Sequence, residues 1–366
     1  MGVLKKERAV NFELLRIVSI FMVIILHFIN NSQLNDVLDM YSVNGYVYGF
    51  VQGLCYTADN LFVLLSGYFL INSSFKIRKV IDLWLQVFFY SVVMYLILMG
   101  LGLVEFSLKN LYYAITPVYS KAYWFFSCYT VLYIVSPLIN VVIKNISRKV
   151  HLISVVVGFV LFSFLDSVLF SKDPFYVCGG KSLTWFVYLY IVAAYIRLYV
   201  TKTPKKIYFG VGAILLSFVT AFAYYGYMFL IEKTGASFID PYNIRSLCSV
   251  PVFLSSIFIF LAFKTVNIKG KYISKALVYL SPLTFGVYLI HDNSNLKNLL
   301  WGWICPEKYA DDPFLWVYML MIVPAIYIVC VLLEIIRQKL FVVTKLNKAG
   351  EFAENKLIAL SEKFCR

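Results

Sequence analysis

Arg16 and His27 stand eleven residues apart in a run that is otherwise almost wholly apolar, ELLRIVSIFMVIILH from Glu13 to His27. At about 100° per residue that separation is three helical turns plus roughly 20°, so both side chains fall on one stripe, about 16 Å apart along the axis. Glu13, three residues before Arg16, is within ion-pair reach on the same face. Ionisable groups carried into an apolar membrane helix are costly, and they usually face a protein interior or a water-filled cavity. An imidazole that is neutral and basic near pH 7 suits general-base or nucleophilic chemistry. A guanidinium suits a phosphate or carbonyl oxygen. Plainer readings stand beside these. His27 can be a histidine hydrogen-bonded within a bundle, Arg16 can be the partner of Glu13 alone, and Glu13 can be a helix-start carboxylate favoured by the dipole.

Further candidates lie along the chain. Asp59 is a carboxylate in an apolar segment, placed either to orient His27 or to pair with a nearby cation. Ser66-Gly67 are small residues of the kind that line helix contacts, and no Gly-x-Ser-x-Gly elbow surrounds Ser66 to make it a nucleophile. Arg78 sits in the basic stretch FKIRKV, which reads either as an anion clamp or as a topology signal. Tyr123 and Trp124 are expected as interface anchors or as a flat platform for a sugar ring or lipid head. His291-Asp292 closes an apolar segment, although adjacent residues do not face each other on a helix. His151, beside Lys149, is expected to be solvated. Asp166 has no evident partner. The seven cysteines show no metal spacing, and no metal site is expected; a Cys178–Cys305 disulfide is one pairing that two outer loops would permit.

These residues need a membrane scaffold to hold them. The chain has 366 residues, of which 61% are hydrophobic and only 14% charged. Those figures exclude an ordinary soluble domain. Ten apolar segments are expected as spans, at 12–31, 46–71, 80–103, 123–143, 150–170, 183–200, 207–231, 247–266, 273–291 and 314–336. The net charge of +14 is scattered in short loops, which argues for topology signals rather than nucleic-acid binding. Basic loops alternate with poorer ones. Lys5, Lys6 and Arg8 precede the first span, whereas Lys109 and Lys121 or Lys172 and Lys181 mark loops with fewer cations. The positive-inside rule then places both termini in the cytoplasm. No small-residue cleavage site follows the first span, so it is read as retained rather than as a signal peptide. Residues 1–336 form the expected transmembrane domain. Residues 337–366 form a basic amphipathic tail, with Leu340, Leu346, Phe352, Leu357, Leu360 and Phe364, suited to the inner membrane surface.

Arg-x10-His in a first membrane helix, with an acidic residue three positions before the Arg, resembles the acyltransferase-3 family of bacterial membrane proteins that O-acylate surface glycans. The stretches NLFVLLSGYFL (60–70), YWFFSCYTVLYIVSP (123–137) and VYLIH (287–291) resemble later motifs of that family in the same order. The family usually has Asp where this chain has Glu13, a change of length and not of charge. Its inner loop often carries several arginines, where this chain has Arg78 flanked by Lys76 and Lys79. The resemblance implies an all-helical inner-membrane acyltransferase, with acyl-CoA, most simply acetyl-CoA, as co-substrate and no bound cofactor. It implies that His27 is the base or acyl-carrying nucleophile, and it favours site roles for Ser66, Tyr123 and Trp124. The expected partners are the bilayer, a surface glycan or its lipid-linked precursor, and other envelope-biosynthesis proteins. The rival class is a polysaccharide polymerase, flippase or transporter of the same envelope pathways. Polymerases of that kind often have large outer loops, and the outer loops expected here are short.

Overall fold

The computed structural model describes residues 9–120, 122–168, 173–202, 205–235 and 240–364, and among these it contains helices and turns but no strand. Numbering only the principal helices, α1 is Val10–Asn30, α2 Val43–Cys55, α3 Thr57–Leu70, α4 Ile77–Gly100, α5 Trp124–Asn145 and α6 Arg148–Ser167. They are followed by α7 Leu183–Tyr199, α8 Lys206–Thr234, α9 Val250–Lys264, α10 Lys271–His291, α11 Leu315–Val343 and α12 Ala349–Phe364. Seven of them (α1, α4, α5, α6, α8, α10 and α11) are long and apolar enough to cross a membrane, which makes this a multi-pass membrane protein. The apolar helices α7 and α9 are shorter. The segment expected as one span at 46–71 is instead two helices, α2 and α3, interrupted at Tyr56, where the Thr57 hydroxyl donates to the Leu54 carbonyl at 2.7 Å.

The outer surface explains what solvent this bundle expects. Leu215 and Phe222 of α8 and Leu320, Met321, Ile328 and Ile336 of α11 are all exposed. Rows of bare apolar side chains on this scale fit hydrocarbon, not water. α1 does the opposite. It lies at the centre, packed on α2, α3, α9, α10 and α11, with Leu15, Ile24 and Phe28 fully covered. The amide of Asn11 donates to the Phe263 carbonyl at 2.9 Å and ties the start of α1 to the end of α9.

The tail helix α12 packs along α4, where Glu351 meets Arg78, while Phe352, Leu357 and Leu360 stay exposed. Phe364, the basic residues Lys5, Lys6 and Arg8, and the loop residues Lys121 and Lys172 lie outside the residues or side chains described. His151, expected to be solvated, is buried. Its Nε2 lies 3.0 Å from the Ile191 carbonyl, because α6 lays its first turns against α7. Asp166 is also buried, and it accepts from the Cys248 thiol at 3.2 Å. Cys178 and Cys305 are both free thiols, so the disulfide considered above is not formed.

Without a hydrophobic force between helices in lipid, close contact depends on small residues. Gly67 shows it: a Cβ there would lie 2.9 Å from the Ala193 Cβ and 3.0 Å from the Tyr190 Cα, so α3 and α7 touch backbone to backbone. Gly67→Val is expected to force them apart and to destabilise the purified protein by about 1–3 kcal/mol, read as a lower unfolding midpoint in detergent. An unchanged midpoint would mean the contact is slack.

Candidate functional site

The N-terminal end of the α1 stripe is a pinned cation. Arg16 lies 2.8 Å from the buried Glu13 carboxylate, whose same oxygen also accepts from the Ser281 hydroxyl. Ser281 opens a short 3-10 turn inside α10, so the helix break presents a hydroxyl at the level of Glu13. Arg16 also sits 5.7 Å from the Phe69 ring centre. Its side chain remains partly exposed, and it faces a cavity of about 360 Å³ bordered by Asp59, Ser66, Lys79, Ser281 and Tyr288. Val23, one turn below His27, closes that cavity on the α1 side.

The C-terminal end of the stripe is a histidine pair. His27 Nδ1 lies 3.0 Å from His291 Nε2, and His291 Nδ1 lies 2.6 Å from the Val287 carbonyl oxygen. A carbonyl only accepts, so His291 Nδ1 carries a hydrogen. In the neutral ring, Nε2 of His291 is then the acceptor, and the hydrogen between the rings belongs to His27 Nδ1. His27 Nε2 is left with a free lone pair. His27 is about one-fifth exposed, whereas His291 is fully buried behind it. The Asp292 carboxylate stands 3.9 Å from His27 Nδ1. Neighbours on a helix would point apart, but α10 ends at His291 and Asp292 is its cap, so both reach the same ring.

The partner of His27 is therefore His291 and not Asp59, which corrects the orienting role considered for that carboxylate. Asp59 is half-buried, borders the cavity, and has no hydrogen-bond or ion-pair partner among the described residues. Ser66 borders the same cavity with its hydroxyl donating to the Phe62 carbonyl at 2.8 Å. Arg78 is not in the cavity. It pairs with Asp82 and Glu351, each at 3.4 Å, and it is Lys79, about 100° round the helix, that faces inward. Lys79 also borders a second, more open cavity of about 560 Å³ with Gln86, Arg337 and Gln338. Leu83 and Tyr129 are common to both, so the two adjoin.

Tyr123, expected as a platform, is buried. Its hydroxyl donates to the Leu289 carbonyl at 2.9 Å and accepts from the Asn293 amide at 2.8 Å, which holds the end of α10 where His291 sits. Trp124 is only partly buried and packs edge-on against Phe125 and Phe186. Sequence reasoning missed Ser281, Lys79, Asn293 and the buried pair Glu334–Arg337. Glu334 accepts from Arg337 at 2.6 and 2.9 Å and from the Tyr90 hydroxyl at 2.7 Å. The i,i+3 spacing of Glu334 and Arg337 at the end of an apolar run was the available signal. Among the described residues, no three His, Cys, Asp or Glu side chains come together in a way that would hold a metal ion.

Tyr123→Phe strands the Leu289 carbonyl and leaves the Asn293 amide only its longer, 3.4 Å bond to the Tyr90 carbonyl. The expected loss is about 1–3 kcal/mol of stability, measured as the unfolding midpoint in detergent; a variant as stable as wild type would leave Tyr123 with no clamping role.

Comparison with known proteins adds one match. The family profile described as an acyltransferase domain, Acyl_transf_3, aligns with residues 10–335. No curated protein and no solved structure gives a match. The profile spans nearly the whole chain, from the first residue of α1 into α11, and contains the Arg16–His27 stripe and its His291 partner; the chain belongs to the acyltransferase-3 family.

Proposed function

We propose that the protein moves an acyl group, most simply acetyl, from acyl-CoA on the cytoplasmic side to a hydroxyl of a surface glycan or its lipid-linked precursor. The observation that carries this reading is the free Nε2 lone pair on His27, fixed by the chain His27–His291–Val287 carbonyl. In the direct route, His27 Nε2 takes the acceptor hydroxyl proton as that oxygen attacks the thioester carbonyl carbon. The tetrahedral oxyanion then collapses, the C–S bond breaks, and the departing thiolate takes the proton back from the imidazolium. In the two-step route, Nε2 itself attacks and carries the acyl group before the hydroxyl displaces it. His291 serves both by accepting from Nδ1–H, which steadies the positive ring.

Arg16 stands about 16 Å from His27 along α1, too far to touch the reacting carbonyl. An extended pantetheine arm covers a similar length. Arg16, held by Glu13, would grip that arm or its phosphate while the thioester reaches upward past Val23. The adjoining inner cavity, with Lys79 and Arg337, would take the anionic nucleotide end. Ten crossings follow if α2 and α3 cross together and α7 and α9 also cross. The 17 residues of α7 extend about 26 Å, nearly the thickness of the hydrocarbon core. Both termini are then cytoplasmic, the protein lies in the inner membrane, and α12 lies on its inner face.

The test is mass spectrometry of the surface glycan from cells holding wild type or His27→Ala at matched membrane levels. An acyl mass present with wild type and lost with the variant is expected. Persistence in the variant removes His27 from the chemistry. Absence from both strains, with altered glycan length or export in wild type, would favour a polymerase or flippase instead. His291→Leu should lower transfer by about 10²–10³-fold, and His291→Gln, which can still present an acceptor to His27 Nδ1–H, should recover part of it. Equal rates for the two variants would deny His291 its positioning role.

A further inference from the structure

The outer mouth above His27 is built from loops that are fastened to one another and that carry cations without partners. The turn at Val177–Lys181 is closed by Gly180 N–H to the Val177 carbonyl at 2.9 Å and Lys181 N–H to the Cys178 carbonyl at 3.0 Å. The segment before α9 is joined to it, since Leu247 N–H donates to the Gly179 carbonyl at 3.1 Å. Gly180 (φ +88°) packs directly on Leu247, where any side chain would collide. Both segments rest on α3, because the Asn60 amide donates to the Leu247 carbonyl at 2.8 Å. Lys181 is thereby held within electrostatic reach of Asp59. From the opposite side, Lys297 opens the short helix Lys297–Ile304, anchored by its N–H to the Asn293 carbonyl at 2.8 Å, five residues beyond Asp292.

The charges of this mouth are unequal. Lys181 lies 5.7 Å from the Tyr242 ring centre, but its ammonium has no carboxylate partner among the described residues, and neither has that of Lys297. Arg245 donates to the Gln52 side chain at 2.7 Å and stacks 3.9 Å from the Tyr224 ring centre, while its Nε is buried without a partner. Gln52 passes this contact to Asn30, at 2.9 Å, and Asn30 follows His27 by one turn on α1. Lys181 and Lys297 thus both lie within electrostatic reach of His27, and Lys181 also of Asp59. Burial pushes the Asp292 carboxyl up, and His291, Lys297 and Lys181 all oppose that shift, which places both lysines within electrostatic reach of the carboxylate nearest His27.

Resting on the acyl-transfer reading above, we infer that the acceptor carries a negative group near the hydroxyl to be acylated, a sugar carboxylate or a phosphate of a lipid-linked precursor, and that Lys181 and Lys297 hold it. Unpaired ammonium groups at the edge of a low-dielectric site gain most from an anion that brings its own oxygens. The lysines would set the acceptor's position over the His27 lone pair and reject neutral glycans by the charge left unpaired.

Binding tests this without any turnover, so its failure is separate from failure of the acyltransferase reading. The intact protein in nanodiscs is titrated with three probes: a glucuronate-terminated tetrasaccharide, its carboxyl-reduced form, and N-acetylglucosamine linked to a short prenyl diphosphate. At least one anionic probe should bind about tenfold tighter than the reduced sugar, and Lys181→Met with Lys297→Met should abolish that preference. Lys181→Arg with Lys297→Arg should restore it, which sets lost charge apart from lost fold. The anion that gains identifies the source, carboxylate or phosphate. Equal binding of charged and neutral probes, or a preference that survives in the methionine double variant, overturns the inference.

Discussion

Two of the ionisable side chains that α1 carries into the apolar bundle, Glu13 and His27, find partners on α10. Ser281 of α10 meets Glu13, and His291 of α10 meets His27. The partners occur in the same order along both helices, so α1 and α10 run parallel with their polar stripes facing. An unpaired imidazole or carboxylate buried here would carry a large part of its desolvation cost. That requirement fixes the rotation of α1 about its own axis, and with it the face that Arg16 presents to the cavity.

The same pairing sets the tautomer of the two rings. α10 ends at His291, whose Nδ1–H is spent on the Val287 carbonyl of its own last turn. A local feature of helix termination thereby sets the tautomer of a ring on a different helix. Tyr123 and Asn293 then brace the end of α10 from α5 and from the following loop. Few residues touch the histidine pair directly, and most of the polar network around it holds that geometry in place.

Charge is divided across the bundle. At one end, Arg16, Lys79 and Arg337 border two adjoining cavities. At the other end, Lys181 and Lys297 lie within electrostatic reach of His27. Asp59 lies between, a carboxylate with neither hydrogen-bond nor ion-pair partner among the described residues. Arg78 contributes to neither end. It joins α4 to the tail helix, a mechanical role that its place in a basic loop did not reveal.

The sequence by itself determined the class of protein and the stripe. Apolar runs and helical periodicity depend on local order, so the helices, the Glu13–Arg16 pair and the common face of Arg16 and His27 were all legible. So were the motifs that carry the family. Only the tertiary structure decided which groups meet that stripe. His27 and His291 are 264 residues apart, and no local rule joins them. Asp59 was one candidate to orient His27, or else to pair with a cation, whereas the folded chain brings His291, at the end of α10, to that ring. Tyr123 and Trp124 read as an aromatic platform, yet only packing assigns one to a buried hydrogen bond and leaves the other at the edge. Arg78 and Lys79 are adjacent in the chain and were interchangeable as cations there. On a helix they point about 100° apart, and the neighbours of α4 determine which one enters the cavity.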